Sequence, residues 1–69
     1  MIKLGKYRHF KGNEYEVIGF ARNSENSEQM VIYKALYDNG ETWVRPLSMW
    51  NETVTYNGKL VKRFEYISD

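Results

Sequence analysis

Apolar and aromatic residues fall along this chain in short runs, and none of the runs is helix-length. Lys11-Gly12-Asn13, Asp38-Asn39-Gly40 and Asn57-Gly58 punctuate them, and each carries a Gly or Asn able to take positive φ. The segments between are rich in β-branched and aromatic residues, which suit a pleated, half-buried surface. They predict strands over Lys6–Phe10, Glu14–Arg22, Met30–Tyr37, Glu41–Arg45, Thr53–Tyr56 and Lys59–Ile67. Strands at this spacing with short connections predict an all-β domain, a small barrel or sandwich. Pro46–Asn51 is the one stretch able to coil into a single helical turn, with Pro suited to the first helical position. Residues 22–29 contain no apolar side chain and repeat Asn-Ser-Glu in tandem, which predicts a solvated hairpin loop.

Pairing arguments assign faces to two hairpins. In the hairpin Met30–Arg45, a two-residue Asn39-Gly40 turn sets Lys34 against Arg45, a destabilising like-charge pair. A three-residue turn with Gly40 left-handed in a bulge sets Tyr33 against Arg45 and Ala35 against Trp43. That register is preferred. It gathers Ile32, Leu36, Thr42 and Val44 on a face that reads as core. Tyr33, Ala35, Tyr37, Trp43 and Arg45 lie on an amphipathic face. In the hairpin Glu52–Arg63, an Asn57-Gly58 turn pairs Val54 with Val61 and Glu52 with Arg63, both favourable.

Composition narrows the chemistry. The 69 residues suffice for one domain, 1–69, and 16% of them are aromatic. There is no Cys and a single His, so neither a Cys-based zinc site nor a His/Cys ligand set can form within one chain. His9 alternates with Tyr7 on one strand face and reads as a packed, structural His. No Walker loop or dinucleotide fingerprint is present. The expectation is a chain that is not an enzyme and uses no cofactor and no metal. No apolar run approaches the roughly twenty residues of a membrane span, and the start of the chain lacks a signal-like apolar region. The cytoplasm is therefore the expected compartment. Asn51-Glu52-Thr53 matches a glycosylation sequon by chance under that expectation.

Net charge is +1, but it is unevenly placed. Residues 1–13 carry +4, residues 14–58 carry −4 and residues 59–69 carry +1. If the terminal strands are neighbours, Lys6, Arg8, Lys11, Lys59, Lys62 and Arg63 share one side, a candidate nucleic-acid surface. Trp43-Val44-Arg45-Pro46 is the most informative stretch. Trp and Arg two apart share a strand face, Pro stops the strand, and Trp, Tyr and Arg are the residues of recognition hot spots. Tyr33, Tyr37, Trp43 and Arg45 are thus the candidate partner-binding residues, with Trp50 closing the patch from its rim. The competing reading makes this face the barrel interior. Ala35-Leu36-Tyr37-Asp38 spells the opening of the signalling SH3 signature, but it lies mid-chain and ends in a turn, so it does not license a Pro-rich ligand.

Gly5-Lys6-Tyr7-Arg8-His9-Phe10-Lys11-Gly12, the strand Val31–Tyr37, Trp43-Val44-Arg45-Pro46-Leu47 with Met49, and Arg63-Phe64 resemble the small bacterial family called domain of unknown function 1653. The resemblance spans nearly the whole chain. It implies an SH3-like barrel of five to six short antiparallel strands with one short helical turn, and no activity. The chain departs from the pattern at Trp50, where Phe is usual, and at Asn23, where His is frequent. The first change is conservative for packing. The second removes a possible ligand from the polar loop. The expected function is a non-catalytic binding module, with a protein or small ligand as partner and no membrane. The alternatives are a weak nucleic-acid binder and a self-associating module that uses an open sheet edge.

Overall fold

The computed structural model describes residues 2–69. Its turns fall where the Gly and Asn signals lie. The elements are β1 (Gly5–His9), β2 (Glu14–Arg22), β3 (Gln29–Ala35), β4 (Thr42–Pro46), α1 (Leu47–Trp50), β5 (Thr53–Tyr56), β6 (Lys59–Lys62) and β7 (Phe64–Ser68). Five strands form an antiparallel sheet in the order β4-β3-β2-β1-β7, and β5 and β6 form a separate hairpin. The fold is all-β with one short helix. The first and last strands are neighbours, with Arg8 opposite Glu65 and His9 opposite Phe64. No helix among the described residues is long and apolar enough to cross a membrane.

Local turn chemistry accounts for the second hairpin. Asn57 and Gly58 both take positive φ, the signature of a tight two-residue turn, and Val54 faces Val61. The stretch Lys59–Ile67, expected as one strand, is two. Arg63 divides it because its backbone is shared between two partners. Its N–H donates to the Glu52 carbonyl (2.9 Å), and its own carbonyl accepts from Phe10 N–H (3.0 Å). The chain thereby leaves β5 and joins β1. In β2 the pairing with β3 shifts between Val17 and Gly19, leaving Ile18 as an extra residue. Such a bulge bends a strand and deepens its twist. One nine-residue strand can then pair with β1 at its start and with β3 along most of its length.

The β3–β4 register differs from the expected one. Tyr33 faces Trp43, and Val31 faces Arg45. The ladder closes where Ala35 N–H donates to the Glu41 carbonyl (2.9 Å), while the next donor, Leu36 N–H, turns away to the Glu14 carbonyl of β2 (3.0 Å). That bond peels the chain from β4, and residues 36–40 become the loop. Gly40 does take positive φ (66°), and so does Asp38 (51°).

The expected core face is also reversed. A two-residue slip keeps the side-chain partition, but Val31, Tyr33 and Ala35 are the buried side, while Leu36 and Val44 are exposed, Val44 by 60%. Aromatic rings explain the choice. Tyr7, Tyr33, Trp50 and Phe64 join Val17 and Val31 in one buried cluster. Trp50 lies flat on Phe64, with centroids 3.7 Å apart and planes 3° from parallel. Tyr33 and Tyr7 meet Trp50 edge-on at 4.9 and 5.5 Å. A small domain has room for few side-chain layers, so wide rings fill it better than branched aliphatics. Trp50, expected at the rim of a binding patch, is 1% exposed and is the largest fully buried side chain. Pro46 ends β4 at the N-cap of α1, and the single turn that follows swings Trp50 inward.

Gly40→Val forces a β-branched residue into left-handed backbone and brings its Cβ to 3.1 Å from Lys34 Cε. It should cost about 1–3 kcal/mol of stability, read as a lowered denaturant midpoint at unchanged slope. An unmoved midpoint would refute the loop conformation.

Candidate functional site

The loop between β3 and β4 and the outer strand β4 together make a cleft of about 260 Å³, lined by Ala35, Tyr37, Asp38, Asn39, Gly40, Glu41 and Trp43. Trp43 shares the face of Tyr33 and Ala35, but β4 is an edge strand and the residue is 51% exposed. Tyr37 lines the same cleft. Its hydroxyl shares a 2.7 Å hydrogen bond with that of Tyr15, and the two rings meet edge-on at 5.5 Å. Burial and this bond push the Tyr15 phenol up to about 12, so it is neutral at physiological pH. Ala35 is small and buried, and Asp38 and Glu41 add two carboxylates. The ion pairs among the described residues, Arg8–Glu14 and Arg63–Glu52, involve neither carboxylate. The Lys34 chain passes beside Gly40. Two aromatic side chains and two carboxylates around one cleft suit a cationic group with an apolar stem.

Of the five candidate partner-binding residues, the structure brings Tyr37 and Trp43 together and withdraws the rest. Tyr33 is 7% exposed and Trp50 lies in the core, so neither can meet a partner as the chain stands. Arg45 turns toward β7, its guanidinium carbon 5.6 Å from the Phe64 ring centroid. Asp38 and Glu41 were missed as site residues. The available signal was the Ala35–Asp38 run, whose small, aromatic and acidic positions all line the cleft.

A model of the family described as "Protein of unknown function (DUF1653)" matches residues 5–66. The chain belongs to the DUF1653 family. It is similar to the crystal structure of a DUF1653 protein from Bordetella bronchiseptica, with TM-score 0.90 and 38% identity over 97% of this chain and 88% of that one. No curated protein matches it. Membership supplies a fold and no activity, so the chemistry of the DUF1653 chain has to come from its own side chains.

The six candidate nucleic-acid residues of this DUF1653 chain are spread and partly neutralised. Arg8 and Lys62 line a groove of about 470 Å³ with His9, Phe10, Tyr56, Leu60, Val61 and Glu65. Lys11 holds its ammonium 5.8 Å from the Phe10 centroid. Against these, Arg8 pairs with Glu14 (3.0 Å), Arg63 pairs with Glu52 (3.1 Å) and Lys6 stands opposite Glu16. Lys59 pairs in register with Tyr56 at the hairpin end. The polar loop organises itself. Asn23 Oδ1 accepts from Glu25 N–H, and Asn26 Oδ1 accepts from Glu28 N–H, each at 2.9 Å. The tandem Asn-Ser-Glu is therefore two successive side-chain turns.

His9 packs between Phe10 (4.4 Å) and Phe64 (5.0 Å), and its Nδ1 accepts from Lys11 N–H (3.2 Å). Burial, then the charges of Arg63, Arg45 and Lys11, hold its pKa below the usual 6.5. The folded state thus binds a proton less readily than the unfolded one. The stability from neutral His9 is complete above pH 6.5 and is lost as pH falls through the lowered value.

Two outcomes follow for the DUF1653 chain. Trp43→Ala should leave stability within about 1 kcal/mol, while Trp50→Ala should cost about 3–5 kcal/mol, both read by chemical denaturation. Equal costs would overturn the division into surface and core rings. Between about pH 7 and pH 5 the melting temperature should fall more steeply in the native chain than in His9→Gln, and parallel slopes would remove His9 as the cause.

Proposed function

We propose that this chain is a non-catalytic binding module on a small SH3-like barrel, and that it takes a partner protein by enclosing one of its basic side chains between Tyr37 and Trp43. The observation that carries the reading is the meeting of these two rings with Asp38 and Glu41 around one cleft. Its size supports a side chain rather than a whole small molecule, since drug-sized ligands occupy about 300–1,000 Å³. Each exposed ring offers a cation about 0.5–1 kcal/mol, and each surface carboxylate about 1 kcal/mol or less. Those sums make one inserted side chain a weak ligand, so the rest of the affinity has to come from an extended backbone. β4 has no ladder partner on its outer side among the described residues, and a peptide laid along it would pass Trp43.

The module is read as non-catalytic because His9 is surrounded by cations and has its Nδ1 occupied by a backbone donor. A cytoplasmic setting belongs to the same proposal. The nucleic-acid alternative has weaker support, since acids stand against Lys6, Arg8 and Arg63. Self-association through the β4 edge would leave the acidic rim without a use.

The test is an amide and indole nuclear magnetic resonance titration with blocked tripeptides centred on arginine, lysine, citrulline or norleucine. The two cationic peptides should shift the Trp43 indole saturably and leave the buried Trp50 indole still. The neutral pair should act at least about fivefold more weakly, and Trp43→Ala should abolish the response. Equal response to citrulline, or no movement of Trp43, would overturn the reading.

A further inference from the structure

Two basic groups from separate parts of the chain meet the ring of Phe64, and the charge of a third, Arg63, reaches His9. His9, at the end of β1, meets it edge-on at 5.0 Å. Arg45, near the end of β4, places its guanidinium carbon 5.6 Å from the centroid. Arg63 immediately precedes Phe64 at the hand-over from β6 to β7. One carboxylate answers them. Glu52 binds a terminal nitrogen of Arg63 through a single oxygen at 3.1 Å. Arg45 makes no ion pair among the described residues. The Nε atoms of both arginines are buried and have no hydrogen-bond partner among the described residues. Such donors are costly to leave unmade, and the face of one aromatic ring satisfies none of them directly.

We propose that His9, Arg45 and Arg63 form a binding site for a phosphate group, carried by a small phosphate ester or by single-stranded nucleic acid. Planar guanidinium forks match tetrahedral oxyanions through paired N–H donors, and the two arginines come from separate parts of the chain, β4 and the link between β6 and β7. The partial pairing of Arg63 leaves donors over after Glu52 is served. Lys11 N–H occupies His9 Nδ1, so Nε2 is the imidazole nitrogen left for an anion. The charges around His9 are of the sign an anion would meet. Arg63, Arg45 and Lys11 all disfavour its protonation. The groove that His9 also lines adds Arg8 and Lys62 as bases and Glu65 as an acid. A bound phosphate would offset the nearby cations and raise the affinity of His9 for its proton.

This site is separate from the Tyr37–Trp43 cleft, so its test stands apart from that of the peptide reading. His9 is the single His, and its imidazole resonances need no assignment. They should be followed at about pH 7 with inorganic phosphate against sodium chloride at matched ionic strength. Phosphate should shift them saturably and raise the His9 pKa by about half a unit or more, while chloride should do neither. Arg45→Gln should weaken phosphate binding about tenfold, and Arg45→Lys should weaken it less. An unchanged Trp50 indole resonance would show that each variant is folded. Two further arms distinguish the source. A nucleoside monophosphate that binds more tightly than an oligothymidylate of equal phosphate concentration marks a small ester, and the reverse marks a strand. Equal effects of chloride and phosphate, or unaltered phosphate binding in folded Arg45→Gln, would overturn the proposal.

Discussion

The stack of Trp50 on Phe64 is the interaction on which the rest of the structure depends. The five-stranded sheet has two free edges, β4 and β7, and no ladder joins them among the described residues. What joins them is a ring carried just beyond β4 lying at 3.7 Å on a ring that begins β7. The one-turn helix makes this possible. Pro46 removes a donor at the end of β4 and fixes the direction of exit, and four residues later Trp50 points inward. Tyr7 and Tyr33 then pack edge-on against the indole, tying β1 and β3 to the same point. A chain of 69 residues buries a modest share of its surface, so a few wide rings at one seam do the work that several aliphatic layers do in larger domains.

That seam also arranges the charged groups. Curling β4 toward β7 carries Arg45 to the ring of Phe64, and the antiparallel pairing of β1 with β7 carries His9 there as well. Arg63 stands one position before Phe64 because it hands the chain from the β5–β6 hairpin to β1. The cationic cluster is thus a consequence of how the sheet closes. The acidic cleft has a different origin. It arises where Leu36 gives its backbone donor to β2, widening the loop that holds Tyr37, Asp38 and Glu41 beside an uncovered edge.

The parts of the fold legible in the sequence are those decided locally. Asn57-Gly58 specifies its own turn, and the turn then dictates that Val54 meets Val61. Gly40 was legible for the same reason. The β3–β4 register was not, because it is decided by a carbonyl of β2, remote in sequence from the loop it widens. The core face was misread because hydrophobicity ranks Ile32, Leu36 and Val44 above Tyr33, whereas the interior is shaped to rings. Tyr33 can be buried there because its ring packs against Trp50 and Tyr15. Within the candidate site, Tyr37 and Trp43 were legible as exposed aromatics near a strand end. The division of Trp43 from Arg45 was not, since alternation places both on one face and says nothing of curl.

That division has an energetic reason. Two positions along a strand are roughly 7 Å apart, so a long, flexible guanidinium at position 45 has carboxylates near Trp43 within range of its field. An exposed ion pair there offers about 0–1 kcal/mol, reduced further by salt and by the entropy of holding two mobile side chains. The ring of Phe64 offers a cation about 0.5–1 kcal/mol at an exposed site and about 2 kcal/mol where water is excluded. Phe64 is 5% exposed and Arg45 half-buried, which places their interaction toward the upper end of that range. The ring therefore outcompetes the carboxylates. Had the balance gone the other way, Arg45 would lie across the cleft and neutralise its rim, and the cluster at Phe64 would lose its unpaired guanidinium. Holding Arg45 on the aromatic seam leaves Asp38 and Glu41 outside the ion pairs of the described residues.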